Sequence, residues 1–205
     1  MTIDLPKQVQ DLFENTYGRP AHSADVRRFF SPGRINLIGE HIDYCGGLVF
    51  PAAVQFGTLI IAQPNDLGTI RVVSFNQPGK VEFDPAGELQ RSTPAHWGDY
   101  VKGVFVEYSK VNVEVPGLDV AVGGDIPGGG LSSSASLEVG IAVLIETFTG
   151  YFSSKDNFAN RQTLSWLAQR AENEFVGVNC GIMDQGAIAL GKKNHAMLMN
   201  CRDLS

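Results

Sequence analysis

The sequence lacks an excess of positive charge. Its 205 residues include 16 Lys and Arg against 22 Asp and Glu, and the formal net charge is −6. The chain therefore has no basic field of the kind that attracts nucleic acid or an anionic membrane, and we expect neither as a partner. A nucleotide is not excluded, because backbone N–H groups and Mg²⁺ can hold phosphates without a cationic surface.

Long apolar runs are also missing. The first 18 residues have neither the basic start nor the apolar stretch of a signal peptide, and the run Val139 to Ile145 is too short to span a bilayer. Cys45, Cys180 and Cys201 form no CxxC pair, and any disulfide scheme leaves one of them unpaired. We therefore expect a reduced, cytoplasmic protein in which all three thiols are buried.

The composition is that of a globular protein, with 43% hydrophobic and 19% charged residues. Apolar spacing predicts helices at 5–17, 97–110, 132–149, 157–175 and 182–190. It predicts strands at 26–30, 58–62, 69–75, 81–83, 118–122 and 195–199, and a loop that opens at Ser31-Pro32-Gly33. Strands dominate the first half and helices the second, which favours an α+β two-layer domain over a doubly wound parallel sheet.

A glycine- and serine-rich segment, residues 127–136, separates a predicted strand from a predicted helix. Glycines allow close backbone approach, and a serine can cap the start of a helix. The unpaired N–H groups of a helix N-terminus suit a polyphosphate. The segment lacks the Gly-Lys-[Ser/Thr] ending of a Walker loop, and an ordinary strand–helix turn is the alternative interpretation.

Residues 31–47 concentrate polar side chains, namely Arg34, Asn36, Glu40, His41 and Asp43. Carboxylates and an imidazole can recognise adjacent hydroxyls, because they accept or donate hydrogen bonds in fixed directions. The Glu-His-x-Asp grouping could also bind a metal, although zinc would require a second His or a Cys one helical turn from His41. A purely structural His41 is the remaining alternative.

Asp184 lies between Met183 and Gln185, shortly after Cys180-Gly181. A glycine can bring the backbone near a ligand, and the carboxylate could take a proton from a substrate hydroxyl. The alternative is a carboxylate that stabilises the N-terminus of a helix.

Taken in this order, the three segments resemble the galactokinase branch of the GHMP small-molecule kinases. Residues 33–44 are similar to the galactokinase signature, 129–136 to the phosphate loop, and 180–185 to the stretch that holds the catalytic aspartate. The resemblance covers essentially all 205 residues, but only about the first half of a family member. It implies a fold like ribosomal S5 domain 2: an α+β, two-layer mixed sheet with helices on one face. Residues 1–205 would then form the GHMP kinase N-terminal domain, and the C-terminal domain would be absent from this chain.

The resemblance also implies a reaction, in which ATP with Mg²⁺ as cofactor phosphorylates the anomeric hydroxyl of galactose to give galactose 1-phosphate. Asp184 would be the base or anchor of that hydroxyl, with Arg34 beside it. The implied sugar-binding residues are Glu40, His41, Asp43, Gly181 and Asp184. The implied phosphate-binding residues are Gly128, Gly129, Gly130, Leu131, Ser132, Ser133 and Ser134. Ser134 and Glu172 would hold Mg²⁺. Such a set is chemically sufficient, since phosphoryl transfer needs positioning and charge neutralisation more than covalent help.

Three positions depart from the family pattern. Ile42 replaces the usual threonine, Cys45 the usual asparagine, and Asn173 stands where a histidine often follows the glutamate. Because Ile42 and Cys45 lie beside the implied sugar residues, N-acetylgalactosamine or arabinose remains an alternative substrate. A non-catalytic sensor of galactose and ATP is a further alternative. The chain stops directly after the last predicted strand, which suggests truncation, and we expect the isolated chain to be inactive and to bind ATP weakly or not at all.

Overall fold

A mixed five-stranded sheet forms the centre of the protein. The computed structural model describes residues 4–126, 130–151 and 157–205. Within them the strands are β1 (Arg27–Asn36), β2 (Leu48–Val49), β3 (Pro51–Pro64), β4 (Ile70–Ser74), β5 (Lys80–Phe83), β6 (Leu118–Gly124) and β7 (Met199–Asn200). The sheet order is β1-β3-β6-β4-β5; β4 and β6 are parallel, and the other neighbours are antiparallel. The short strands β2 and β7 pair separately.

The helices agree closely with the sequence prediction. They are α1 (Leu5–Tyr17), α2 (Gly98–Lys110), α3 (Ser133–Thr149), α4 (Asn157–Arg170) and α5 (Met183–Leu190), with a 3₁₀ turn at Asp43–Cys45 and a π-helical turn at Ala171–Val176. The predicted helix at 157–175 is thus α4 continued by the π-helical turn. Gly18 ends α1 at a φ of 66°, a conformation that glycine adopts without steric cost.

Helices cover both faces of the sheet, so the prediction of helices on one face was wrong. Alternate strand residues such as Ile60, Val72 and Val120 face the large core under α2, α3 and α4. Their neighbours Ile61, Val73 and Ala121 face α1 instead. The apolar side of α1 requires a second buried surface, and the opposite face of the sheet provides it.

Strand β1 is longer than predicted. It runs to Asn36 through the residues Ser31, Pro32 and Gly33, where the sequence predicted a loop. Proline is tolerated here because β1 is an edge strand, and its pairing with β3 shifts register between Pro32 and Arg34. This extension of β1 makes Arg34 part of the sheet.

The prediction of a strand at 195–199 was wrong in its extent. Only Met199 and Asn200 form a strand there, besides an isolated bridge between Ala52 and Ala196. This segment is held by a small third core. The core consists of Val49, Ile182, Met183, Met199, Cys201 and Leu204.

The cysteines are free, and only one of them is buried. Cys201 is buried, Cys180 is half-buried and Cys45 is exposed, so the expectation that all three are buried was wrong. Cys45 ends the 3₁₀ turn, none of whose three residues is buried.

Candidate active site

Three distant parts of the chain meet at Asp184. The Arg34 guanidinium donates to Asp184 Oδ1 through Nε at 2.7 Å and through Nη2 at 2.6 Å. The Ser132 hydroxyl donates to the other carboxylate oxygen, Oδ2. The Asp184 side chain keeps 26% of its surface exposed, so a ligand can still reach it. The result is a partly open junction of a strand, a glycine-rich loop and a helix N-terminus.

Strand β1 is hydrogen-bonded to the glycine-rich loop directly after its register shift. The Arg34 N–H donates to the Leu131 carbonyl at 3.1 Å, and Arg34 Nη1 donates to the Gly130 carbonyl at 2.7 Å. A Cβ at Gly33 would lie 2.6 Å from the Leu131 oxygen, which only glycine avoids. Gly33 therefore allows the loop to lie against the strand, and Arg34 holds it there.

Helix α3 begins beside this junction. Ser132 precedes it with a φ of 60° and makes no side-chain capping bond, because its hydroxyl binds Asp184 instead. One turn later, Ser136 fixes the helix to the sheet: its hydroxyl donates to the Ser31 carbonyl at 2.7 Å and accepts from the Thr58 hydroxyl at 2.9 Å. The first N–H groups of α3 thus lack a side-chain cap and suit an anion.

A cavity of about 360 Å³ opens at the N-terminus of α3. Ser133 and Ser134 line one side, and the aromatic side chains of Trp97 and Tyr100 line another. Asn76 also borders it, held by two hydrogen bonds to the Gly124 backbone at 2.6 and 2.9 Å. Neither Asn76 nor the two aromatic residues was predicted. The Trp97/Tyr100 pair at the start of a predicted helix was the only signal in the sequence that could have indicated them.

The predicted sugar-binding side chains lie on the loop between β1 and β2. Glu40 and His41 are exposed, and Glu40 accepts a hydrogen bond from Asn36 Nδ2 at 2.9 Å. His41 has a φ of 60°, which is uncommon for a residue with a side chain. Asp43 begins the 3₁₀ turn and lies against Gly181, where any Cβ would collide with its carboxylate. Asp43 and Gly181 are thus brought into contact across 138 positions of chain.

Glu172 lies on the π-helical turn and is 5% exposed. Gln185 Nε2 donates to Glu172 Oε2 at 2.8 Å and to Oε2 of the fully buried Glu138 at 3.2 Å. Burial, and then the charge of Glu172, raises the pKa of Glu138 well above its usual range. Neither Glu138 nor Gln185 was predicted, since nothing in the sequence shows that two glutamates 34 positions apart share one amide.

The residues predicted to hold Mg²⁺ fit a hard cation by their chemistry. Ser134 and Glu172 supply oxygen ligands, and Mg²⁺ is usually bound by one or two carboxylates together with substrate phosphates. Ser134 lines the cavity. Glu172 is buried and accepts from Gln185, the residue that follows Asp184. In the described ranges no group of three or more His, Cys, Asp or Glu side chains could hold a metal alone.

The structure therefore places the predicted residues in three neighbouring positions. Arg34, Ser132 and Asp184 are in direct contact, Asp43 contacts Gly181, and Glu172 is buried against Gln185, the neighbour of Asp184. Leu131 and Gly130 accept hydrogen bonds from Arg34, and Glu40 and His41 lie exposed on their loop. Gly128 and Gly129 lie outside the described residues.

Two family models match the chain at these elements. The galactokinase galactose-binding signature matches residues 11–64, and the GHMP kinases N terminal domain matches residues 99–192. The chain belongs to the galactokinase family of GHMP kinases. The first match contains Arg34, Glu40, His41 and Asp43, and the second extends over the glycine-rich loop and Asp184.

Relatives in this family include two curated bacterial proteins. A galactokinase of Clostridium tetani is 46% identical over 180 residues, which are 87% of this chain and 44% of the relative. A galactokinase of Bacillus subtilis is 42% identical over 204 residues, which are 98% of this chain and 50% of the relative. The chain thus spans about half the length of the curated galactokinases that it matches.

A solved galactokinase shares the fold. The crystal structure of the Lactococcus lactis enzyme complexed with galactose superposes with a TM-score of 0.84 at 36% identity, over 98% of this chain and 50% of that one. The mixed α+β fold predicted from the sequence is confirmed by this match. Within the described ranges, no helix is both long and apolar enough to cross a membrane.

Proposed function

We propose that this chain supplies the phosphate loop, the base and the sugar contacts of an ATP-dependent kinase that converts galactose to galactose 1-phosphate. The observation that carries the proposal is the junction of Arg34, Ser132 and Asp184 at the start of α3. A carboxylate, a guanidinium and a helix N-terminus at one partly open point are the groups that phosphoryl transfer to a hydroxyl needs.

In this proposal Asp184 orients the anomeric hydroxyl and accepts its proton as the hydroxyl attacks the γ-phosphorus of ATP. Arg34 holds the Asp184 carboxylate at 2.6 Å and offsets the negative charge of the transferring phosphoryl group. Ser132 binds Oδ2 and thereby directs the carboxylate. The leaving group is ADP, and the sugar oxygen forms the new bond to phosphorus.

The nucleotide would extend from the N-terminus of α3 into the cavity of about 360 Å³. Backbone N–H groups of the segment 128–134 would bind the phosphates, and Trp97 and Tyr100 would pack against the base. Ser134 and Glu172 would hold Mg²⁺, which when bound neutralises phosphate charge. ATP and Mg²⁺ are thus the co-substrate and cofactor of the proposal.

The sugar would occupy the space between Asp184 and the loop that carries Glu40, His41 and Asp43. Exposed carboxylates and an imidazole can pair with sugar hydroxyls, and the backbone at Gly181 lies against Asp43. Galactose is favoured because both curated relatives and the galactose-bound homologue are galactokinases. Ile42 and Cys45 keep N-acetylgalactosamine and arabinose as substrates to be compared.

Residues 1–205 would act as the N-terminal domain of this kinase, in the cytoplasm. The relatives are about twice as long, and a second domain would complete the nucleotide pocket. We therefore propose that the 205 residues alone bind ATP weakly and do not turn over.

The test uses the protein in the longest form that its reading frame encodes, beside the 205-residue chain. ADP release is measured with galactose, N-acetylgalactosamine, glucose and arabinose. The proposal requires that galactose has the highest kcat/KM in the longest form. ADP release that no sugar stimulates would refute it, and a preference for another sugar would refute only the choice of galactose.

A further inference from the structure

Two adjacent glycines end strand β6, and the positions of their missing side chains face opposite sides of the sheet. A Cβ at Gly123 would lie 2.5 Å from the Val9 side chain of α1, so the packing of α1 requires glycine there. A Cβ at Gly124 would point to the other face, and the nearest atom of the described residues beyond its chain neighbours is 3.4 Å away, an ordinary van der Waals distance. The φ of Gly124 is also outside the left-handed region. Neither the backbone conformation nor packing against the described residues therefore requires glycine at position 124.

The room beside Gly124 belongs to the cavity at the N-terminus of α3. The three described atoms nearest to the Cβ position are the Gly57 carbonyl oxygen at 3.4 Å, Thr58 Oγ1 at 3.8 Å and Asn76 Oδ1 at 3.9 Å. Gly124, Thr58 and Asn76 all line the cavity of about 360 Å³. A side chain at position 124 would therefore enter the cavity in which the nucleotide is proposed to bind.

The Gly124 backbone is a fixed wall of this cavity. Asn76 donates through Nδ2 to the Gly124 carbonyl at 2.9 Å, and the Gly124 N–H donates to Asn76 Oδ1 at 2.6 Å. The amide side chain thus continues the pairing of β4 with β6 beyond the last register pair of these strands. On the other edge, Thr58 of β3 is the register partner of Gly124. Since both polar backbone groups of Gly124 engage Asn76, Gly124 offers a ligand space rather than a hydrogen bond.

We propose that Gly124 determines the space for the nucleoside part of ATP, which packs directly on the Gly124 backbone where any side chain would lie. The inference rests on the proposed function, because that function places ATP in this cavity. The described atoms nearest to position 124 belong neither to the Arg34–Asp184 pair nor to the loop that carries Glu40. A side chain at position 124 therefore weakens nucleotide binding and leaves the sugar site unchanged.

The test adds side chains of increasing size at position 124. Gly124→Ala introduces one methyl group, and Gly124→Val introduces a branched side chain of a kind that is common in strands. The matched control is Gly87→Ala, in the turn after β5. A Cβ at Gly87 would also lie 3.4 Å from a backbone carbonyl oxygen, that of Asp84. Gly87 is exposed and does not line the cavity.

The measurement is the Kd for ADP with Mg²⁺, determined by calorimetry in the longest encoded form. We expect Gly124→Ala to raise this Kd about tenfold and Gly124→Val about a hundredfold, since overpacking a close contact is penalised on that scale. The KM for ATP should rise by similar factors, while the KM for galactose stays within about twofold of wild type. Gly87→Ala should change none of the three constants. An unchanged Kd for ADP in folded Gly124→Ala protein, or equal rises in this Kd and in the KM for galactose, would overturn the inference.

Urea unfolding and sugar-free binding complete the test. Gly124→Ala and Gly87→Ala should unfold at similar urea concentrations, because both methyl groups have room. A clearly lower midpoint for Gly124→Ala alone would show that protein atoms fill the space and would overturn the inference, as would a wild-type protein that binds no ADP. Calorimetry needs no sugar, so weaker ADP binding by Gly124→Ala supports the inference whether or not any sugar is phosphorylated. A wild-type protein that binds ADP but phosphorylates none of the four sugars would refute the proposed function instead.

Discussion

Two Arg–Asp pairs in the protein have similar short distances and very different surroundings. Arg71 and Asp119 are register partners on the parallel strands β4 and β6, and they form a two-pronged pair at 2.6 Å for both bonds. Asp119 is 2% exposed and also accepts from Asn65, while Tyr17 stacks on Arg71 at 5.1 Å. Both oxygens of the Asp119 carboxylate are thus engaged by other residues of the protein.

The Arg34–Asp184 pair differs in how its carboxylate is bound and in how much of that carboxylate is exposed. Nε and Nη2 of Arg34 both contact Oδ1 of Asp184, and Oδ2 accepts from Ser132. The Asp184 side chain remains 26% exposed. The residues are 150 positions apart, and the pair lies at the start of two helices. A short ion pair therefore does not by itself distinguish the two places; the exposed carboxylate and the helix N-terminus without a side-chain cap beside it mark Arg34–Asp184 as the candidate site.

The largest expected effect follows from breaking the accessible pair. Asp184→Asn keeps the size of the side chain but removes the base, and kcat should fall at least ~10²-fold, the low end for the loss of a general base. ADP release in the longest encoded form measures this. An unchanged kcat would remove Asp184 from the proposed role.

Breaking the buried pair should cost stability instead. Asp119→Ala leaves Arg71 without its carboxylate partner and removes one of the two acceptors of Asn65 Nδ2. We expect the free energy of unfolding to fall by about 3 kcal/mol, as for a buried carboxylate pair that loses one member. Urea unfolding measures the change. The KM for galactose should stay as in wild type; a rise in this KM would show that the two pairs are coupled.

Glu146 is a third carboxyl group whose surroundings can be tested, because its burial should make stability depend on pH. Burial raises the pKa of Glu146 from 4.5 to about 7, although Arg161 and the Tyr108 hydroxyl lower it. Between pH 4.5 and about 7 the folded protein binds the extra proton, so stability falls as the pH rises through this window. Glu146→Gln has no titratable carboxyl and should not lose stability over this pH window.

The measurement for Glu146 is the free energy of unfolding as a function of pH. The Gln variant and wild type should be about equally stable at pH 4.5, and the variant should be more stable by about 1 to 3 kcal/mol at pH 8. A constant difference over the whole range would show that the carboxyl does not titrate as described.

The smallest effect is expected at an exposed pair. Lys110 binds Glu174 at 2.7 Å, but both side chains are about half exposed, and Lys110 also contacts the buried Glu107 at 2.5 Å. Glu174→Gln should lower the free energy of unfolding by about 0.5 kcal/mol or less, as is typical of surface pairs. Thermal melts at low and high salt measure this, and a loss above 1 kcal/mol would contradict it.

Much of the fold could be predicted because its signals are local. The helices at 5–17, 97–110 and 132–149 have apolar spacing that does not depend on their neighbours, and the structure has them within one residue at each end. The segments 31–36 and 195–199 were predicted less well. Whether such polar or short segments become strands depends on the strands with which they pair, and these lie far along the chain. No local sequence pattern indicates which strands those are.

The sequence by itself determined the inventory of the candidate site: an arginine, a glycine–serine loop and an aspartate in the order of a known family. Their contacts could not be read from it. Only the tertiary structure decided that Ser132 binds Asp184, that Asn173 holds Cys180, and that Trp97 and Tyr100 border the cavity. The physical reason is that hydrogen bonds and burial depend on three-dimensional proximity, which the packing of α3, α4 and α5 on the sheet creates between residues distant in sequence.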